Sequence, residues 1–377
     1  MKNPFITTGY EGPEYFCDRE KETEYIVSLL ENGNNVALIS PRRIGKTDLI
    51  RHCFAQKEVS KNFYTFVIDI YATDTFNDFV KTLGKSILNE LRPKGKTAWN
   101  TFINQIKSIR SEISFDATGS PVWNVGLGDI QSPTVTLEEI FSYLNSADKP
   151  CLVAIDEFQQ IAKYTDGANV EAALRTYIQQ CSNAHFVFAG SQRHIMDAMF
   201  NSASRPFYQS VSVVNLAPIP LEKYREFAIH NFEKNGKKIE STVVDEIYSR
   251  FRCTTAYMQK VLNLLFSETS QGENCTINRL NATINTLLDF SSDTYESLLY
   301  QMPEKQKVVF FAIAKEGVAT NISSSEFVKR HKLTSASSVV SAVKGLLDKD
   351  FISQNKNTYM VYDQFFVLWL KRKGLLE

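Results

Sequence analysis

"VALISPRRIGKTDLI" (residues 36–50) passes from four apolar residues into a Gly45-Lys46-Thr47 triplet and then a helical apolar spacing. A phosphate-binding loop, G-x-x-x-x-G-K-[ST], has this form, except that Ser40 stands where the first glycine is expected. Such a loop works because backbone N–H groups at a strand-to-helix turn point at phosphate oxygens, helped by the helix dipole. Gly45 lets the backbone approach the phosphates, Lys46 reaches the β- and γ-phosphates, and Thr47 offers its hydroxyl to Mg²⁺. Ser40 can serve if the loop does not need a left-handed backbone there. The candidate cradle is thus Ser40, Pro41, Arg42, Arg43, Ile44, Gly45, Lys46, Thr47 and Asp48. Arg42 and Arg43 either add charge near the phosphates, hold the loop to an acidic neighbour, or sit in solvent.

The chain around the loop alternates strands and helices. "DREKETEYIVSLLEN" (18–32) reads as a helix capped by Asp18 and stopped by Gly33. "FYTFVIDIY" (63–71), "CLVAIDEF" (151–158) and "AHFVFAGS" (184–191) read as buried strands. Helices are expected from near Gly45, over 75–91, over 168–182, and after a capping box at Thr136 and Glu139. This order predicts an α/β fold, a parallel sheet flanked by helices. Residues 92–135 read as an irregular insertion with a hairpin at "ISFDATGSPVWNV". From Pro218 the apolar spacing is mainly helical. Residues 303–377 suggest three short helices and a hairpin closing on Phe365, Phe366 and Trp369, a winged helix with that cluster as core. The expected domains are 1–217, 218–302 (a helical lid) and 303–377, with nucleotide between the first two.

Two further stretches complete the candidate site. "CLVAIDEFQQI" carries Asp156 and Glu157 to the end of a buried strand, where acids are rarely placed for packing because burying a charge is costly. Asp156 is expected to hold Mg²⁺ and Glu157 to act as general base on the attacking water. In "FVFAGSQRHIM", Ser191 or Gln192 lies where the γ-phosphate or the water would be reached. Arg193, and Arg205 in "SRPFYQ", are candidates for a charge-neutralising arginine, in cis or on a neighbour.

Composition bounds the alternatives. Lys and Arg number 42, as do Asp and Glu, so no whole-chain charge argues for nucleic acid. The six cysteines include no C-x-x-C pair and the five histidines form no H-E-x-x-H pattern, so reduced thiols and no protein-only metal cage are expected. The first residues lack the apolar core of a signal peptide, and no apolar run nears the roughly 20 residues of a membrane helix. A cytoplasmic protein without membrane contact is the expectation.

These residues resemble the archaeal-type ATPase family of P-loop NTPases, in the AAA+/STAND division. "FCDRE" (16–20) resembles its opening motif, which implies that Phe16 and Arg19 lie near the adenine. "SPRRIGKT" resembles its phosphate loop, "AIDEFQ" its acidic strand end, and "GSQRHIM" with "RPFY" the segment that follows. Two features depart from the pattern. Gln209 and Ser210 stand where an arginine is frequent, and "CTTAYMQ" (253–259) lacks the usual Gly-x-Pro-like turn. The resemblance implies ATP and Mg²⁺ as ligands and an ATP-hydrolysing switch, with self-association or a protein partner. The alternatives are an ATP-controlled DNA-binding protein of the helicase-loader kind and a nucleotide-binding scaffold without turnover. For the winged helix, the Ser-rich third helix, with Lys344 and Lys349 offset by Asp348 and Asp350, implies at most weak DNA binding.

Overall fold

The computed structural model describes residues 2–91, 114–115, 121–122 and 132–376 of the chain. They form two compact units, Gly9–Ala217 and Met1–Thr8 with Pro218–Glu377.

The first unit is built on β1 (Val36–Ile39), β2 (Tyr64–Asp69), β5 (Cys151–Asp156), β6 (Ala184–Gly190) and β7 (Ser212–Asn215). They pair in the order β2-β5-β6-β1-β7, every pair parallel. Near-continuous apolar runs are what a sheet covered on both faces requires. Successive side chains point to opposite faces. Ala37, Ile39, Val153, Ile155, Phe186 and Phe188 therefore pack on one side with α4 (Phe76–Glu90), α5 (Pro133–Asn145), α6 (Gly167–Gln180) and α7 (Arg193–Asn201). Val36, Leu38, Leu152, Ala154, Val187 and Ala189 pack on the other with α1 (Glu20–Glu31), α2 (Lys46–Phe54) and α3 (Lys57–Asn62). Because β1 and β5 flank β6, the carboxyl ends of β5, β6 and β1 emerge side by side.

Local signals behave unevenly. Gly33 ends α1 as expected, at φ +79°, with its N–H on the Leu30 carbonyl and the Asn34 N–H on that of Leu29, the paired bonds of a left-handed helix stop. Asp18 does not cap α1. Asp18 and Arg19 both adopt positive φ, and the helix starts at Glu20 without a side-chain cap. Nor do Thr136 and Glu139 form a capping box. α5 begins earlier, with Pro133 in its first turn and Ser132 before it, leaving Thr136 buried inside the helix. Proline opens a helix without loss because the N–H it lacks would be unpaired there. β7 is a fifth strand that the apolar-run criterion passed over. In the hairpin expected near 113–125, β3 (Ser114–Phe115) and β4 (Pro121–Val122) do pair antiparallel; the rest of the 92–131 stretch lies outside the described residues.

The second unit holds α8 (Leu221–Lys234), α9 (Ser241–Arg250), α10 (Thr255–Glu268), α11 (Ile277–Phe290) and α12 (Ser292–Gln301), with a two-residue parallel bridge between β8 (Lys238–Ile239) and β9 (Asn274–Cys275). Phe5 packs against Phe227, Phe232 and Phe266, which places the first residues here and not with the phosphate-loop unit. The winged-helix part follows: α13 (Glu304–Glu316), β10 (Ala319–Thr320), α14 (Ser325–Arg330), α15 (Ala336–Asp348), β11 (Ile352–Asn355) and β12 (Thr358–Val361). Its three strands form an antiparallel sheet in the order β10-β12-β11. A final helix, α16 (Gln364–Arg372), was not anticipated. Asp363 caps it by accepting from the N–H groups of Phe365 and Phe366. Phe365, Phe366 and Trp369 are buried, as core residues should be. All six cysteines are free thiols. Among the described residues no helix is long and apolar enough to cross a membrane.

Candidate nucleotide site

The loop after β1 carries its left-handed residues at Arg43 (φ +64°) and Gly45 (φ +91°), and not at Ser40. Serine at the first position is therefore no obstacle: its backbone needs no glycine, its N–H reaches the Gly190 carbonyl at 3.4 Å, and its hydroxyl bonds the Pro41 carbonyl at 3.2 Å. A Cβ on Gly45 would meet nothing within 4 Å, so the backbone angle alone accounts for glycine there. α2 starts directly after Gly45, aiming its first N–H groups into the loop. Ile44 is buried beneath the loop, Arg43 is exposed, and Asp48 lies in the first turn of α2, its carboxyl pushed up by burial.

Lys46 is only 6% exposed, with Nζ 3.4 Å from the Pro41 carbonyl oxygen. Burial pushes its pKa down, and the Glu157 and Asp156 carboxylates oppose that shift. A desolvated amine beside two acids gains from an anion that restores its charge. Thr47 Oγ1 donates to Asp156 Oδ2, joining the end of the loop to the end of β5. Burial raises the Asp156 pKa, while the Thr47 bond and the Glu157 N–H, 2.9 Å from Oδ1, hold the carboxylate form. Glu157 is turned out of the strand at φ +56°. Its Oε2 accepts from Ser191 Oγ at 2.8 Å and from Gln159 Nε2. Arg42 Nε donates to the same Ser191 Oγ at 3.1 Å, and its guanidinium lies 5.9 Å over the Tyr71 ring. Phosphate loop, acidic strand end and the tip of β6 are thereby one bonded set.

Among the described residues no cluster of three or more His, Cys, Asp or Glu could hold a metal. The Thr47 hydroxyl and Asp156 carboxylate are hard oxygen donors, and such a pair fits Mg²⁺, which keeps several waters and relies on substrate phosphates for the remaining positions.

A family described as an ATPase domain predominantly from Archaea matches residues 16–275, over half of the sequence. The chain belongs to this family. A probable winged helix domain matches residues 293–372. No curated protein matches the chain. Among solved structures, a Walker-type ATPase of Pyrococcus abyssi is similar over 98% of this chain and 99% of its own, at 16% identity and a TM-score of 0.64. The Aeropyrum pernix ORC2 protein, solved as ADPNP-ADP complexes, covers 99% and 98% at 11% identity and TM-score 0.57. The ORC1 protein of that organism, solved in complex with DNA, covers 96% and 94% at 11% identity and TM-score 0.53. At these identities the likeness is one of fold: a P-loop ATPase domain with a C-terminal winged helix.

Within this ATPase fold the remaining candidates divide. Phe16 stacks on His52 at 4.3 Å, and Tyr10 closes the cluster with its hydroxyl 2.9 Å from His52 Nδ1. Burial lowers the His52 pKa, so the ring stays neutral and can stack. Arg19 is buried and ties Glu22 Oε1 to the Ala217 carbonyl, each at 2.6 Å, so it anchors the unit's last residue to α1. Arg193 bonds Asn215 at 3.2 Å and pairs with Asp197 at 3.7 Å on a half-exposed side chain. Arg205 is committed differently. It pairs with Glu171, which is 0% exposed on α6, and so holds a buried carboxylate of its own unit. The reading of the sequence missed Gln159 and the Tyr10–His52 pair. The amides of "DEFQQ" directly after the acids were the available signal for the first; the second pairs residues 42 positions apart and left none.

Proposed function

We propose that this member of the ATPase family binds ATP with Mg²⁺, hydrolyses it, and uses the difference between the ATP and ADP states as a molecular switch. One observation carries the reading: Lys46, Thr47, Asp156, Glu157 and Ser191 come from three adjacent strand ends and are linked there. The loop N–H groups and the Lys46 ammonium bind the β- and γ-phosphates. Thr47 and Asp156 hold Mg²⁺, which supplies charge neutralisation to the phosphate oxygens. Glu157 accepts a proton from a water whose oxygen bonds to the γ-phosphorus. The bond from that phosphorus to the bridging oxygen breaks, its electron pair leaving with ADP. Ser191 orients Glu157. With Arg205 engaged by Glu171, Arg193 is the better candidate for a charge-neutralising arginine, in its own site or a neighbouring copy's. Residues 218–302 are the candidate helical lid and 303–377 the candidate docking module.

A second reading, ATP-controlled DNA binding, is favoured by one feature: residues 303–377 hold twelve Lys and Arg against seven Asp and Glu in a balanced chain.

The test compares Lys46→Ala and Glu157→Gln. ATP affinity should collapse in the first. In the second it should persist while phosphate release falls by roughly 10²-fold or more, since the carboxylate acts on water and not on ground-state binding. Wild-type ATP affinity in Lys46→Ala would sink the assignment. Phosphate release at the wild-type rate in Glu157→Gln would remove Glu157 as base.

A further inference from the structure

We infer that Gln159 is a positioning residue for hydrolysis: its carboxamide, held between Ser191 and Gly190, fixes the Glu157 carboxylate so that one oxygen stays available to the attacking water. The inference rests on Glu157 being the general base, as proposed above.

The geometry runs through both polar atoms of the amide, in three hydrogen bonds. Gln159 Nε2 donates to Glu157 Oε2 and lies 3.4 Å from Ser191 Oγ, while Oε1 accepts from the Ser191 N–H at 3.2 Å. The side chain is 2% exposed, so water does not compete for these bonds. The space for it exists because residue 190 has no side chain: a Cβ there would sit 2.6 Å from Gln159 Oε1 and 2.4 Å from Met196 Sδ. A hydroxyl has one proton to donate. Arg42 Nε and Gln159 Nε2 both donate to Ser191 Oγ, so the serine's own proton goes to Glu157 Oε2. Both hydrogen bonds to the Glu157 carboxylate among the described residues thus fall on Oε2, which leaves Oε1 to serve as the proton acceptor. Two fixed donors on one oxygen hold the carboxylate plane, and the carboxylate's aim is where a small misplacement costs rate. Gln159 touches neither phosphate nor water in this account; it acts through Glu157.

The experiment uses the full chain and three variants, Gln159→Met, Gln159→Asn and Glu157→Gln, with phosphate release, KM for ATP and ADP affinity measured on each. Met fills the volume without a donor. Asn keeps the amide but is one methylene too short to span Glu157 and the Ser191 N–H, so it serves if Met perturbs folding. The expected result is a fall in kcat of about 10- to 100-fold in both, with KM and ADP affinity within about twofold of wild type. In a Glu157→Gln background the same changes should cost nothing further, because the group they aim is gone. Wild-type kcat in the Gln159 variants, with Glu157→Gln inactive, overturns the inference and leaves the base assignment standing. So does a parallel loss of kcat and ADP affinity, or an additive loss in the Glu157→Gln background, since each marks a merely structural amide. Full activity of Glu157→Gln overturns the base assignment itself.

Discussion

Arg205 and Glu171 show how a residue can carry the right type and order for one role and be used for another. Glu171 lies wholly inside, so burial pushes its carboxyl pKa up, and Arg205 pulls it back. Removing one partner of such a pair strands the other charge. Arg205 is itself 30% exposed, which softens the effect. We expect Arg205→Ala to cost about 1–3 kcal/mol. The sign with pH follows from the raised pKa. A carboxyl whose folded pKa lies above its unfolded one favours the native state when protonated, and that contribution is lost as pH rises through the folded value. Without Arg205 the folded pKa rises further, so the variant should lose little near pH 4 and more toward pH 8. Thermal unfolding across that range checks it, and Glu171→Gln added to Arg205→Ala should recover most of the neutral-pH loss. An unchanged melting temperature with lost turnover would return Arg205 to catalysis. Asp156 and Glu157 were legible as candidates at this scale because acids closing an apolar strand have few structural uses, and Lys46 because it follows Gly45 at a strand-to-helix turn. Arg205 was not, since its partner lies 34 residues upstream on a helix whose buried face includes an acid.

Elements were legible in proportion to how completely they are buried. β1, β5 and β6 are covered on both faces and read as near-continuous apolar runs. β7 is an edge strand with one buried residue and polar ends, so nothing in "SVVN" marked it. The capping signals show the same dependence on context. The T-x-x-E pattern at Thr136 and Glu139 was present, but Pro133 had already started the helix. A real box lies at Thr75 and Asp78: the Thr75 hydroxyl accepts from the Asp78 N–H at 3.2 Å, and Asp78 Oδ2 accepts from the Thr75 N–H at 3.1 Å. Asp in place of the usual Glu or Gln hid it. Thr75→Ala should cost about 1 kcal/mol. The helix it caps covers β2, which pairs with β5 but is separated from β1 by two strands, and the Thr75 and Asp78 side chains hydrogen-bond each other and no residue of the phosphate loop. Turnover at saturating ATP should therefore match wild type while the denaturation midpoint falls. A drop in kcat without a drop in stability would mean α4 communicates with the site.

At the scale of the whole chain, periodicity gave the helices of the second unit but not their grouping. Phe5 joins an aromatic cluster more than 220 residues away, a pairing that no local pattern encodes. The same limit applies to the surface that a winged helix offers to DNA. Both of its arginines are committed: Arg330 pairs with Glu316 and Glu326, and Arg372 with Asp289, while Lys373 pairs with Glu296. The outward face of α15, the third helix of the motif, presents Ser337, Val340 at 57% exposure, Ser341, Lys344 and Asp348. A helix so composed can meet phosphates through two hydroxyls and one ammonium, and it carries no arginine to bridge a guanine edge. Affinity then rests on a handful of released counterions. We expect the full chain to retain duplex DNA weakly and without sequence preference, with a shallow dependence of log affinity on log salt corresponding to about 2–4 phosphate contacts. Lys344→Ala should lower that slope by about 1 and weaken binding equally on unrelated sequences. Titration of labelled duplexes between roughly 50 and 200 mM salt measures both. Binding that stays tight at the upper end, or a strong preference for one sequence, would require base contacts that this face does not supply, and would turn attention to another surface of the protein.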